Sequence, residues 1–440
     1  MTKILFISLG CDKNLVDSET MMGMLRDRGY EFTDDENDAD VIIINTCGFI
    51  TSAKEESINT ILEMAEHKKD RLKALIATGC LAERYKDEIL KELPELDAVV
   101  GTTAFDTICD VVDDVLAHKG HNEFRDINRM CSPDSRRIIT TGGYYSYLKI
   151  AEGCDKRCTY CSIPLFKGKY RSTPMEKLVE EAEYLAGSGV RELILVAQET
   201  SVYGKDIYGE KRLPELLHRL CAVDGIEWIR ILYCYPEEIT DELIETLKTE
   251  PKICHYIDMP IQHASDRILK KMGRRTTNAD LRRIIGKLRE EIPDIALRTT
   301  LITGFPSETE EDVDILLDFV DEMDFDRLGV FTYSPEENTP AASMDGQIDE
   351  ETKLTRRDKL MELQQEVSAD KAESLVGKRL EVIIEGKAAD ENVYVGRSYM
   401  DAPGVDGYVF IETDEELMSG DFAFVKITKA LEYDLIGELD

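Results

Sequence analysis

The sequence predicts an α/β protein in three parts: an N-terminal doubly wound parallel-sheet domain, a central partial (open, about six-unit) TIM-like barrel, and a small all-β barrel. Three observations carry this. Strand-like and helix-like runs alternate through the first ~120 residues, and a second alternating series begins near residue 144. After residue 375 the helical period gives way to short β-rich runs broken by Gly, Pro and Asp.

In the first part, 1–120, Lys3–Ser8, Val41–Asn45, Lys73–Thr78 and Ala98–Val100 read as strands, and Val-Ile-Ile-Ile in the second suits a strand covered on both faces. Leu15–Arg28, Ser52–Lys68, Glu83–Leu93 and Phe105–His118 read as helices. The polar stretch 121–143, with its Gly and Pro, reads as a linker. In the second part, 144–367, strands fit Tyr145–Ile150, Glu192–Ala197, Trp228–Tyr233, His255–Met259, Ala296–Thr303 and Arg327–Thr332. Helices fit Met175–Ala186, Leu213–Cys221, Asp241–Lys248, Asn278–Glu291 and Glu308–Met323. Six units fall short of the eight that close a barrel in ~250 residues, so this barrel should stay open. A charged helix, Glu350–Leu375, leads into the third part, 368–440. There Lys378–Glu385, Asn392–Arg397, Gly407–Ile411 and Phe422–Thr428 read as strands of a small barrel.

Composition narrows the function. The 440 residues carry 89 acidic and 54 basic side chains, a formal net charge of −35, with 42% hydrophobic and 32% charged residues. That is the balance of a soluble globular protein. No apolar run approaches the ~18 residues of a membrane span, and the strand-like Ile4–Leu9 is too short for the ~7–15-residue core of a signal peptide, so a cytoplasmic protein is expected. The overall field repels polyanions and attracts basic proteins. Eleven cysteines are too sparse for a disulfide scaffold.

Two groups of cysteines stand out. Cys154, Cys158 and Cys161 form a CxxxCxxC run directly after the first strand of the second series. Thiolates so closely spaced can grip one iron–sulfur cluster from a single loop, and three ligands on a four-iron cluster leave one iron open. Structural zinc asks for four closed ligands, and no fourth Cys or His lies nearby in sequence. Cys11, Cys47 and Cys80 are 36 and 33 residues apart, which fits no compact metal motif. Each follows a predicted parallel strand and has a glycine neighbour, Gly10, Gly48 or Gly79. Strand ends in a doubly wound sheet lie side by side at the ligand crevice, so these three thiols either converge there or are three small buried residues. Cys109, Cys131, Cys221, Cys234 and Cys254 read as ordinary packed residues.

The Cys154-to-Cys161 run, with an aromatic residue before its last cysteine and a partial barrel behind it, resembles the radical S-adenosylmethionine (SAM) superfamily. The resemblance implies a 4Fe-4S cluster whose open iron chelates SAM, reductive cleavage of SAM to a 5′-deoxyadenosyl radical, and Tyr160 near the adenine. It also implies SAM contacts from Gln198 and Glu199, and more weakly from Gln262 and Gly304. His263, a lone loop histidine, receives no role, and no catalytic acid or base is assigned. Ser8-Leu-Gly-Cys-Asp-Lys-Asn-Leu-Val-Asp-Ser-Glu19 and Asn45-Thr-Cys-Gly48, in this domain order, resemble the methylthiotransferases over essentially the whole chain. What that implies is a second 4Fe-4S cluster on Cys11, Cys47 and Cys80 that holds the sulfur to be delivered, and a C-terminal barrel of the TRAM type. One SAM would methylate the sulfur and a second would supply the radical.

Within that family, tRNA-adenosine enzymes (MiaB-like) and enzymes acting on an aspartate β-carbon of ribosomal protein S12 (RimO-like) are the two branches to separate. Asp12-Lys13-Asn14 and the segment Asp326–Ala341 resemble the second, apart from Asn338 where glycine is usual. Residues 368–440 hold 17 acidic and 7 basic side chains, which suits a basic ribosomal protein better than tRNA. The expected partners are therefore protein S12, free or in the small subunit, and an electron donor such as flavodoxin or ferredoxin, with tRNA disfavoured. A non-catalytic ribosome-docking iron–sulfur protein and a zinc scaffold are the contrasting readings. The basic residues Arg267, Lys270, Lys271, Arg274, Arg275, Arg282, Arg283, Lys287 and Arg289 read as a solvated face paired with acids rather than a phosphate-binding patch.

Overall fold

The computed structural model describes residues 2–131, 135–389 and 392–440. Its first sheet is parallel throughout, with strands in the order Glu31–Phe32, Lys3–Ser8, Val41–Thr46, Ala74–Gly79 and Ala98–Val100. Alternate side chains point to opposite faces. Ile4, Val41, Ile43, Ala74 and Ile76 pack under the helices Asp12–Arg28 and Ile108–Leu116, while Ile42, Ile44, Leu75 and Ala77 pack under Thr51–Ala65. The sheet is doubly wound because both faces are apolar. One expected helix is broken: Glu83–Leu93 is replaced by Cys80–Tyr85, a tight turn at Lys86–Glu88 and a short Ile89–Glu92 helix, with Lys86 at φ 42°.

The stretch 121–143 is anchored rather than loose. Arg125 and Arg129 pair with Asp106, and Arg137 reaches the buried Glu19 at 2.7 Å. Glu19 also accepts from the Thr140 amide and hydroxyl. Residues 132–134 lie outside the described residues.

The second sheet has six parallel strands and stays open, in the order Arg327–Thr332, Ala296–Thr303, Ile253–Asp258, Trp228–Ile231, Glu192–Val196 and Tyr145–Lys149. The helix Glu350–Ser374 then leads to a closed five-stranded barrel of Arg379–Lys387, Val393–Ser398, Val409–Glu412, Leu435–Leu439 and Phe422–Ala430. The last strand, Leu435–Leu439, was not among the four expected ones, and it completes the closure.

The small barrel docks on the open barrel through a shared apolar cluster, including Ile194, Trp228, Tyr256, Val382, Ile384 and Val409. Ion pairs fix the register of this contact. Arg397 of the small barrel meets Glu192 at 2.7 Å, and Glu192 also binds Arg230 at 2.8 Å; all three side chains are fully buried. Asp406 and Asp401 receive Arg298 and Arg327.

Candidate functional site

Three adjacent strands of the first sheet end at Cys11, Cys47 and Cys80. Cys11 caps the helix Asp12–Arg28, Cys47 follows Val41–Thr46 by one residue, and Cys80 opens the helix Cys80–Tyr85. The topology thus brings together the three thiols that the sequence left open. The neighbouring glycines are needed for close approach: a Cβ on Gly10 would lie 2.9 Å from Cys47 Cβ, and one on Gly48 would lie 2.9 Å from the carbonyl carbon of Cys80. Asn14 braces the group. Its side-chain amide donates to the Leu9 and Thr46 carbonyls, and the Cys80 thiol approaches its Oδ1 at 3.5 Å. Asn45 in turn donates to the Asn14 carbonyl and Ser18 Oγ. Burial pushes the Cys47 and Cys80 thiols up, with the Lys167 ammonium pulling both back.

The second trio sits in the loop between Ala151–Glu152 and Ile163–Lys167. Cys154 N donates to the Gly168 carbonyl, and Cys161 N to that of Cys158. Tyr235 Oη lies 3.4 Å from Cys158 Sγ, and Arg274 stacks 4.2 Å above the Tyr235 ring. Burial lifts the Cys154 thiol to about 12 and pushes the Tyr160 phenol well up. Tyr160 packs against the cluster of Ile268, Met272, Phe305 and Tyr333.

The other residues singled out by sequence fall as follows. Gln198 donates to Glu152 at 2.8 Å. Glu199 is buried, is 3.5 Å from Lys156 and accepts from Ser201; burial raises its carboxyl to about 7, against the pull of Lys156. Gln262 holds a left-handed backbone (φ 71°) beside Leu301. Gly304 has no room for a Cβ because the Lys353 side chain fills that space, so helix packing accounts for this glycine. His263 is fully buried; its Nδ1 accepts from the Ala264 and Ser265 amides, and its Nε2 lies 3.3 Å from Glu308. It is an organiser of its own loop.

Do these residues suit the groups the family resemblance implies? Among the described residues, no three His, Cys, Asp or Glu side chains are gathered closely enough to hold one metal ion. A four-iron cluster is held by cysteine thiolates, and each trio offers thiols near enough to feel one another: Cys80 faces Cys11 and Cys47, and Cys161 faces Cys158 and Cys154. In the barrel, buried polar atoms make no hydrogen bond within the chain: Gln198 Oε1, Gln262 Oε1, and Nε and Nη1 of Arg274; Glu199 Oε2 has only the 3.5 Å approach of Lys156. Buried polar atoms without partners are costly, and a ligand with both an ammonium and a carboxylate, as SAM has, would satisfy acceptors and donors alike.

The two trios meet across one junction. Ser162, next to Cys161, donates to the carbonyl of Phe49, two residues past Cys47, at 3.3 Å. Lys167, fully buried, lies 3.4 Å from Glu152 and 3.5 Å from Asp17 and faces Cys80 and Cys11 electrostatically. Lys13 pairs with Asp12 at 2.8 Å and stacks 3.5 Å over the ring of Tyr233.

Residues 3–101 match the model of an uncharacterized protein family, UPF0004, residues 148–320 that of the radical SAM superfamily, and residues 376–439 that of the TRAM domain. The ribosomal protein uS12 methylthiotransferase RimO of Lachnoclostridium phytofermentans is 64% identical over 436 residues, covering 99% of each chain. The chain belongs to the RimO methylthiotransferase family. Its RimO relative from Acetivibrio thermocellus is 52% identical over 444 residues, covering 99% of this chain and 98% of the relative. A solved structure of the radical SAM methyltransferase TsrM from Kitasatospora setae, with cobalamin and a 4Fe-4S cluster bound, shares the fold at a TM-score of 0.56 and 14% identity, covering 86% of this chain and 76% of that one.

Sequence reasoning missed Lys167, Arg274 and Tyr235. Lys167 lies six residues past the last cysteine of its loop, in a short helix with no motif to mark it. Arg274 was one of a run of basic residues, and nothing in that run distinguishes the buried member from its exposed neighbours.

Proposed function

We propose that this protein transfers a methylthio group to the β-carbon of an aspartate in ribosomal protein uS12, consuming SAM and using one 4Fe-4S cluster on each cysteine trio. The observation that carries the reading is the junction at Ser162 and Phe49, which joins the loops of two separate trios. When bound, the clusters and SAM supply methylation of a sulfur and a deoxyadenosyl radical that takes hydrogen from the substrate carbon.

The chain itself does the placing. Cys11, Cys47 and Cys80 hold one cluster, and Cys154, Cys158 and Cys161 the other. Glu199, Gln198 and Gln262 offer acceptors for the SAM ammonium and hydroxyls, while Arg274 offers two N–H groups to an anionic oxygen. Tyr160 gives the adenine an apolar neighbour. Lys167 sets a fixed positive charge beside the sulfur-carrying trio, and its pairing with Glu152 of the barrel and Asp17 of the N-terminal domain holds that charge between the two. The five-stranded barrel keeps an acidic outer run, with Glu412, Asp414, Glu415 and Glu416 exposed, which complements a basic ribosomal protein and disfavours tRNA. An external one-electron donor of the flavodoxin or ferredoxin class supplies the reducing equivalent.

The test is anaerobic. Protein reconstituted with iron and sulfide receives SAM, a strong reductant, uS12 and bulk tRNA together, and both products go to mass spectrometry. Methylthio-aspartate in uS12 with unmodified tRNA is expected. Methylthio-adenosine in the tRNA would overturn the substrate assignment, and intact SAM would overturn the enzymatic reading.

A further inference from the structure

We propose that the exposed basic island formed by Arg157, Lys270, Lys271 and Arg275 is the docking face for an acidic one-electron donor protein. The inference rests on the reading above, since only a reductively activated enzyme needs such a donor.

The stretch 267–275 contains five basic residues and no acidic one, in a chain of net charge −35. Its members divide into two groups. Arg267 is tied to Asp312, and Arg274 is buried against Tyr235. Further along, Arg282, Arg283 and Lys287 pair with Glu322, Asp280 and Asp241, and Arg289 bonds to the Asp324 carbonyl. A solvated, paired face describes that second half well. It does not describe Arg157, Lys270, Lys271 and Arg275: among the described residues none of these four side chains has an ion-pair partner, and all but the half-buried Lys271 are exposed. Elsewhere on this protein most basic side chains are matched with acids, so four unmatched cations in one place make a local reversal of sign.

Their location gives the island its use. The segment that carries them lies directly on the cysteine loop. Thr159, between Cys158 and Cys161, donates its amide to the Met272 carbonyl at 2.9 Å and its hydroxyl to the Lys271 carbonyl at 2.8 Å. Gly273 sits so close that a Cβ there would be 2.8 Å from the Arg157 carbonyl. Arg157 itself stands between Cys154 and Cys158. A partner seated on the island is thus one thin layer of backbone from the second trio. An otherwise acidic protein repels an acidic donor everywhere else, so the island both steers the encounter and fixes its orientation. The step it serves oxidises the donor by one electron, and that electron cleaves a carbon–sulfur bond of SAM to give methionine and the deoxyadenosyl radical.

The test compares wild type with the double variant Lys270→Glu/Arg275→Glu, both reconstituted, measuring deoxyadenosine released from SAM. One arm uses a reduced acidic flavodoxin as donor and the other uses dithionite. Flavodoxin-driven release should fall about tenfold or more in the variant at low salt, and wild-type release should fall as salt rises. Dithionite-driven release should stay within about twofold, and flavodoxin binding to the cluster-loaded protein, read by calorimetry, should weaken in parallel. Equal flavodoxin-driven rates in the two proteins would overturn the assignment. So would a variant that keeps its flavodoxin response but loses affinity for small-subunit RNA, which would make the island a phosphate contact. No deoxyadenosine from wild type with dithionite would instead overturn the radical reading on which the docking rests.

Discussion

Replacing Glu336 with Ala should separate SAM cleavage from methylthio transfer. Glu336 sits in the loop after the last barrel strand, with its side chain 2% exposed, and it receives Arg84 at 2.8 Å and Lys54 at 2.9 Å from the N-terminal domain. Arg84 also donates to the Gly48 carbonyl at 2.7 Å, next to Cys47, so this carboxylate ties the first trio's loop to the barrel. Burial opposes the charge on Glu336, but hydrogen bonds from Lys54 and Arg84 outweigh it and hold its pKa below the usual carboxylate range. Removing one member of a buried pair costs about 3–5 kcal/mol. Here some returns, because Arg84 keeps its carbonyl bonds and the Lys54 side chain is 14% exposed, leaving about 2–3 kcal/mol. At about 1.4 kcal/mol per factor of ten, the docked arrangement of the two trios loses between one and two orders of magnitude in stability. Arg137, which pairs with both Glu19 and Glu181 of the barrel, and Lys149, which pairs with Asp17, remain, so the domains stay attached. In a reconstituted assay, methylthio transfer should drop about 10- to 100-fold while deoxyadenosine formation stays within about twofold. Equal losses in both would show that Glu336 acts on folding, and no loss in either would show that this clamp does not set the spacing of the trios.

Other expectations follow from the same geometry. Cys158→Ala should abolish deoxyadenosine formation, whereas Cys47→Ala should retain some SAM cleavage and lose transfer; normal transfer by the Cys47 variant would break the two-cluster scheme. Glu192→Ala leaves Arg230 without its carboxylate, and Arg397 with Glu385 alone, in a dry interface; it should cost about 3–5 kcal/mol, seen as a fall in Tm of roughly 10 °C. Because burial raises Glu199 to about 7, its carboxylate fraction falls as pH drops from 8 to 6. SAM affinity by calorimetry should therefore weaken about tenfold over that range, and Glu199→Gln should flatten the dependence. Arg274→Met should raise the Kd for SAM about tenfold or more, without changing the iron content of the reconstituted protein.

The strongest sequence signals were those in which local pattern and tertiary role coincide. Val41–Ile44 is apolar at every position because both sheet faces are covered, and the six-strand count of the second sheet follows from plain alternation. The CxxxCxxC loop is legible because its members are near in sequence, whereas Cys11, Cys47 and Cys80 needed strand order to bring them together. The last barrel strand escaped notice because Gly437 interrupts it. That glycine is where the neighbouring strand at Val425 and Lys426 leaves no space for a side chain, a demand of closure that no local pattern records. Lys167 and Glu336 were illegible for a related reason: each is an ordinary charged residue until the domains dock and take it out of water. The acidic character of the C-terminal barrel was visible in its composition, but the sequence did not show that Asp401 and Asp406 face the arginines of the open barrel rather than a partner.

The hydrogen bond from Ser162 to Phe49 has a kinetic consequence. A carbon radical is short-lived, and a sulfur carrier arriving by diffusion would compete with every other quencher in solution. With both loops part of one folded chain, a sulfur held on the first trio would be present at an effective concentration far beyond any free reagent, because intramolecular placement has already met the entropy of bringing the partners together. The loops need not close on each other at each turnover. The substrate side chain has only to enter between them, and its capture then depends on how long it dwells there rather than on finding a second reactant.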